Sequence, residues 1–507
     1  MSLDLALGIA GSGLAAVQRG LAQASQNIAN AQTPGYTRKA VPQAALTNQE
    51  LPAGLRTGPA QREVDQALQA QLNGSRAAEA AATLRDTLLR QVEDAQGTVG
   101  DGTSLPDAFS GLNDAFVALR ASPDDAGLQR AALDAATTTA ERLNTLSQAI
   151  GGARQQAQDT VVSEVASANA ALRQIASLTL EIRTGQGDNA AALEDQRDQA
   201  LASLSRSLDV QAVKQPDGGL TVIARGGIVL PLDPDRDVLA TQPASLSAGS
   251  YYGGGGTLPG VTLNGLDITK QITGGRLGEA LALRDTTLPR FQAEADLAAA
   301  TLAGRMDAVG LRLYTDSDGV SVPATGAYAG SAQMGFAGRI QVNPAVAASP
   351  ALLRDGTQAV AATPGGPTAF TPNPSGGPAG FTTLLDRVLG NALGDVAAPG
   401  SPWPAIPTSG LGPDGSLASP FLAPATVAGY ATRLTAAQSA DRAAASAALD
   451  QASATRTALE TRFTEASGVD TDKEMASLIT LQNAYAANAR VMTTVQAMWD
   501  TLLNAAQ

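Results

Sequence analysis

Asn27-Ile28-Ala29-Asn30-Ala31-Gln32-Thr33-Pro34-Gly35-Tyr36-Thr37-Arg38 closes the most regularly patterned helix of this sequence. Thr33-Pro34-Gly35-Tyr36 suits a type II turn: Pro34 fixes φ at the first central position, and Gly35 supplies the positive φ that the second requires. The helix is therefore expected to stop sharply and send the chain in a new direction. The turn chemistry by itself assigns no function.

Upstream, Leu3, Leu7, Ala10, Leu14, Val17, Leu21, Ala24, Ile28 and Ala31 recur three and four residues apart, an apolar stripe along one helix face. Gly8, Gly11, Gly13 and Gly20 each cost that helix ~1 kcal/mol relative to Ala, so it is expected to fold only against a partner. An ordinary surface helix on a globular core would carry the same pattern. The other end of the chain mirrors it. From Glu474, the positions Leu478, Leu481, Tyr485, Asn488, Met492, Val495, Trp499 and Leu502 repeat the spacing, with polar Asn488 in the seam where it can fix register. Two matching stripes suggest that the termini pair.

Between them the pattern reads helix, β-rich centre, helix. Residues 61–95 and 106–120 look helical, and Ser122-Pro123-Asp124-Asp125 reads as a helix start with Ser122 as cap. The following run places Val161, Val165, Ala168, Leu172, Ile175 and Ile182 on one face, and a second helix is expected at 189–207. After Asp209, Leu220–Ile223 and Ile228–Leu230 are set off by Pro216-Asp217-Gly218-Gly219 and Gly226-Gly227, which are hairpin signals. Helix resumes from Leu277 to about Val309; 311–424 reads as loosely patterned β; an Ala-rich helix runs from about Thr426 to Ala466. The expected fold class is α+β. A terminal coiled-coil domain (1–36 and 468–507) would top a discontinuous helical stem (37–208, 276–310, 425–467) with β-rich insertions (209–275 and 311–424).

Composition narrows the function. The 507 residues include 34 basic and 47 acidic side chains, a net charge of −13, and only four scattered lysines, which argues against nucleic acid and against an anionic membrane surface. With neither Cys nor His, thiol nucleophiles, the usual zinc sites and His-based triads are impossible. No G-x-x-x-x-G-K-[ST] phosphate-binding loop occurs. Gly253–Gly256 reads as a loop, Asp316-Ser317-Asp318-Gly319 as a turn without the distal Glu of a calcium loop, and Asp233, Asp235 and Asp237 as a solvated turn. No catalytic, cofactor or metal residues are assigned. Residues 1–30 are not expected to act as a cleavable signal peptide, and no continuous apolar run is expected to span a bilayer.

Asn27-Ile28-Ala29-Asn30 followed by Thr33-Pro34-Gly35-Tyr36, after a short amphipathic helix, resembles the signature of the flagellar rod, hook and hook-associated axial proteins. Four further stretches are similar to the hook-associated members of the hook–filament junction: Ala121–Asp125, Leu193-Glu194-Asp195-Gln196-Arg197-Asp198-Gln199, Gly274–Gly278, and Ser467–Met475 continuing through Leu481–Val491. Glu194 departs from that pattern, where an apolar residue is usual. The resemblance implies a secreted structural protein of the bacterial flagellum. It implies export, unfolded and uncleaved, through the flagellar type III channel. It implies polymerisation with itself between the hook protein and the next hook-associated protein, and a cytoplasmic export chaperone that holds the C-terminal helix beforehand. On that reading Asn27, Asn30, Thr33, Pro34, Gly35 and Tyr36 form an assembly turn. Leu3, Leu7, Leu14, Val17, Leu21 and Ile28 form the N-terminal interface. Leu478, Leu481, Tyr485, Met492, Val495, Trp499 and Leu502 form the C-terminal interface and chaperone surface. Alternatives are a hook or distal rod subunit, a glycan hydrolase carried on a flagellar stem, or a secreted adhesin.

Overall fold

The computed structural model describes residues 3–48, 51–185 and 189–505. Helix α1 (Leu3–Ala29) runs into the 30–38 turn, then strands β1 (Lys39–Ala40), β2 (Gln43–Asn48), β3 (Leu51–Thr57) and β4 (Gln61–Arg62). β2 and β3 pair antiparallel with Gln43 opposite Thr57, and β1 pairs with β4. This hairpin lies in the part of the expected stem to which the sequence pattern assigned no element; it packs on α1, where the Ser12 hydroxyl accepts from Leu55 N at 3.1 Å.

The stem is built from α2 (Gln66–Gln96), α3 (Leu105–Ala121), α4 (Ala126–Thr184) and α5 (Ala190–Ser207). α2 starts five residues later than the sequence pattern suggested, because Asp65 caps it by accepting from Ala67 N and Leu68 N. α4 likewise starts at Ala126: Asp125 is its cap, accepting from Gly127 N at 2.7 Å and Leu128 N at 3.1 Å. Ser122, expected as that cap, instead ends α3, its N–H donating to Leu119 O. The face of α4 carrying Val161, Val165, Ala168, Leu172 and Ile175 is buried as expected.

β5 (Val210–Lys214), β6 (Leu220–Ala224) and β7 (Val229–Leu230) form the expected meander, and β8 (Leu239–Ala240), β9 (Thr262–Leu263) and β10 (Leu266–Asp267) a second small sheet. Then α6 (Gly275–Ala282) passes through a π-helical turn at Leu283–Thr287 into α7 (Leu288–Ala308). An inserted hydrogen bond accompanies the widened turn: buried Arg154 on α4 donates its Nε–H to Arg284 O at 2.8 Å. The 311–424 region holds only short paired strands, β11 (Tyr314–Thr315) with β12 (Gln341–Val342), β13 (Val396–Ala398) with β14 (Ser401–Pro402), and β15 (Ser409–Leu411) with β16 (Leu417–Ala418). Three short helices, α8 (Pro344–Ala348), α9 (Leu352–Asp355) and α10 (Thr383–Arg387), lie among them. α11 (Val427–Ser467), capped by Thr426, returns along α2 and leads into α12 (Thr471–Ala505). One core runs from α2 through α7 to the start of α11.

α12 lies on α1. A Cβ on Gly13 would stand 3.3 Å from the Asn488 side chain, and one on Gly20 3.2 Å from Leu481. Both partners step seven residues, in opposite directions, so the helices are antiparallel. The glycines that weaken α1 in isolation are thus the points at which α12 approaches. By length and composition alone, Asp4–Ala29 is long and apolar enough to cross a membrane, contrary to the sequence expectation; here it packs on α12 and the hairpin.

Candidate functional site

The expected turn residues converge at the joint between the terminal pair and the stem. Asn27 is 1 % exposed: its Nδ2 donates to Lys39 O at 2.9 Å, and its Oδ1 accepts from Tyr36 Oη at 2.9 Å, Gln23 Nε2 at 3.1 Å and Lys39 N at 3.3 Å. Asn30 only caps locally, donating to Gln26 O, while Thr33 O accepts from Tyr36 N at 3.1 Å and closes the turn. Gly35 has φ +79°, and any Cβ there would collide with Gln199 of α5, whose Nε2 donates to Pro34 O at 2.9 Å. The Lys39 ammonium lies 3.5 Å above the Tyr36 ring, and burial, then the charge of Asp195, push the Tyr36 hydroxyl up to about 12.

Below the turn lies a buried charge cluster. Asp195 accepts from Thr37 Oγ1 at 2.6 Å and ion-pairs with Lys39 at 2.5 Å and Arg62 at 2.8 Å. Arg62 also holds Asp198 at 2.5 Å and Glu194 at 3.4 Å, so Glu194, which departs from the family pattern, serves here as a third carboxylate for one guanidinium. On the opposite side Arg38 bridges Glu63 and, at 2.6 Å, Glu474 of α12, while its N–H donates to Ser467 O. Ser467 Oγ accepts from Asp65 N at 3.2 Å. The Asn27–Arg38, Leu193–Gln199 and Ser467–Glu474 stretches, far apart in the chain, are therefore one structure. Sequence reasoning did not assign Arg38, Lys39, Arg62, Asp195 or Glu474. The available signal was Glu474, a charge exactly one heptad before Leu481 in an apolar row.

The expected interfaces are only partly covered. Val17 is buried against the pair, and Leu14, Leu21 and Ile28 are half-buried. Leu7 is 39 % exposed, and the side chain of Leu3 lies outside the described residues. On α12, Val495 is buried and Leu478, Leu481 and Met492 half-buried, but Tyr485, Trp499 and Leu502 are 39, 44 and 55 % exposed. α12 therefore keeps three of its expected interface side chains exposed. The acidic turns separate: Asp233 pairs with Arg236, Asp237 with Arg173, and Asp316 with Arg339.

Residues 89–319 match the family model of the flagellar hook-associated protein FlgK helical domain, and 460–505 match that of the flagellar basal body rod FlgEFG protein C-terminal region. Over these two stretches the chain is similar to flagellar hook-associated and axial proteins. The two matched regions meet at the joint, Asp195 lying in the first and Glu474 in the second. Flagellar hook-associated protein 1 of Salmonella typhimurium is 27 % identical over 244 residues, 46 % of this chain and 44 % of that protein. The Escherichia coli protein of the same name is 27 % identical over 246 residues, again covering 46 % and 44 %. The chain thus matches less than half the length of these relatives. The flagellar hook junction protein FlgK from Burkholderia pseudomallei aligns over 51 % of this chain and 47 % of its own at 26 % identity, with a TM-score of 0.40.

Proposed function

We propose that the chain is a structural subunit of the flagellum that polymerises at the hook–filament junction after type III export, and that it is not an enzyme. The observation that carries this reading is the half-covered seam of α12. A helix pair locked to a stem by a buried joint, yet leaving Tyr485, Val491, Met498, Trp499 and Leu502 bare, is suited to further helices packing beside it in a polymer. On this reading residues 1–36 with 468–507 are the assembling coiled coil, 37–208, 276–310 and 425–467 the stem, and 209–275 and 311–424 outer insertions. Asn27, Asn30 and Thr33–Tyr36 aim the pair. The partners are further copies, the hook protein and the next hook-associated protein.

The same α12 surface is suited to an export chaperone before assembly. Full burial of one large apolar side chain is worth ~1.5–3 kcal/mol, and aromatic residues dominate such contacts. Replacing Tyr485 and Trp499 together with Ser is expected to weaken chaperone binding in calorimetry and to lower incorporation of the chain into flagella. Unchanged values for both would remove α12 from the assembly surface.

A further inference from the structure

Beneath the turn a cleft of about 360 Å³ opens between α2, α5 and α11. Three arginines line it, and they are differently supplied with carboxylates. Arg62 is saturated by Asp195, Asp198 and Glu194. Arg76 donates to Asn73 Oδ1 at 3.1 Å, and its one carboxylate neighbour, Glu460, stands 3.8 Å away and is also held by Arg456. Arg206 is exposed and has no ion pair among the described residues. Burial first, and then the facing guanidiniums of Arg206 and Arg456, hold the Arg76 pKa below its ordinary value despite Glu460. Arg76 and Arg206 thus line one cleft, the first with only part of Glu460 and the second with no ion pair among the described residues, in a chain with 47 acidic and 34 basic residues.

A planar guanidinium matches the two oxygens of a carboxylate, and a charge-assisted bidentate contact is about twice as strong as a neutral one. We infer that the cleft is an oxyanion site that takes the carboxylate of an acidic side chain from a second copy of the chain. The acidic surface of the chain itself supplies the complementary charge, and the cleft sits at the joint, so occupancy ties α2, α5 and α11 together under the turn. The choice of a second copy rests on the polymer reading above; the anion chemistry does not.

The test uses the full-length chain in two arms. In the first, melting is followed while inorganic phosphate replaces chloride at matched ionic strength. Wild type is expected to show a saturable rise in Tm that Arg206→Glu lacks. In the second, the chain is quantified in flagella from cells producing Arg206→Glu, with Arg206→Lys as the conservative control. Incorporation is expected to fall about tenfold for Glu, equivalent to ~1.4 kcal/mol, and to recover for Lys, with monomer melting unchanged. Equal behaviour of wild type and Arg206→Glu in both arms overturns the site. Phosphate binding with normal incorporation overturns the second copy as its source and leaves a free anion as the ligand. Wild-type chain absent from flagella defeats the polymer reading instead, and the phosphate arm then decides the cleft alone.

Discussion

Asn27 and Gly35 do different work within one turn. Asn27 satisfies both main-chain polar groups of Lys39, so Asn27→Ala strands a buried N–H and C=O and is expected to cost ~1–3 kcal/mol in urea denaturation. Gly35→Val meets two obstacles, positive φ and the Gln199 side chain, and should cost ~1–3 kcal/mol while leaving the stem helices intact by circular dichroism. Asp195 is the third pivot. Removing it as Asp195→Ala leaves Lys39, only 5 % exposed, without its carboxylate, an expected loss of ~3–5 kcal/mol measured in the same titration. The turn was legible because Pro34 and Gly35 have local conformational consequences. The cluster was not, because Lys39, Arg62 and Asp195 come from three separate elements and nothing local in the sequence marks which charges will meet.

Helices were read well wherever burial is one-sided. The 189–207 and 426–466 expectations fall within a residue of α5 and α11, and the Gly-containing turns placed β5–β7. Caps were misplaced by a few residues because several candidate Ser and Asp residues stand in a row, and tertiary contacts select among them. Glycines of α1 were read as a cost, whereas Gly13 and Gly20 admit α12; Gly20→Leu is expected to separate the pair, seen as faster hydrogen exchange in 471–505 with the stem unchanged. At the α7–α11 contact, Glu294 is fully buried, its Oε2 accepting from Gln438 Nε2 at 3.4 Å and its Oε1 unpaired. Burial, opposed by Arg290 and reinforced by Asp441, pushes its pKa from 4.5 to about 7. The folded chain therefore holds this proton more tightly than the unfolded one. Its contribution to stability is complete below about 4.5 and is lost as pH rises through about 7. The urea midpoint should fall between those limits, and Glu294→Gln should flatten that part of the profile.

For the whole molecule, the ends of the chain form one helical pair, the middle forms the stem, and a charged joint couples them. The nesting was legible from the mirrored stripes at 3–31 and 474–502. What the stripes could not reveal is how much of each a single antiparallel partner covers, since that depends on the register in which the two helices meet. The uncovered remainder, Trp499 and Leu502 at its tip, is the surface on which the proposed assembly role rests. The central claim is best tested by electron microscopy of flagella from a strain in which this gene is deleted. The account predicts hooks that end without filaments, with filaments restored by the wild-type gene and not by one lacking 471–507. Filaments of normal number and length on the deletion strain would contradict it.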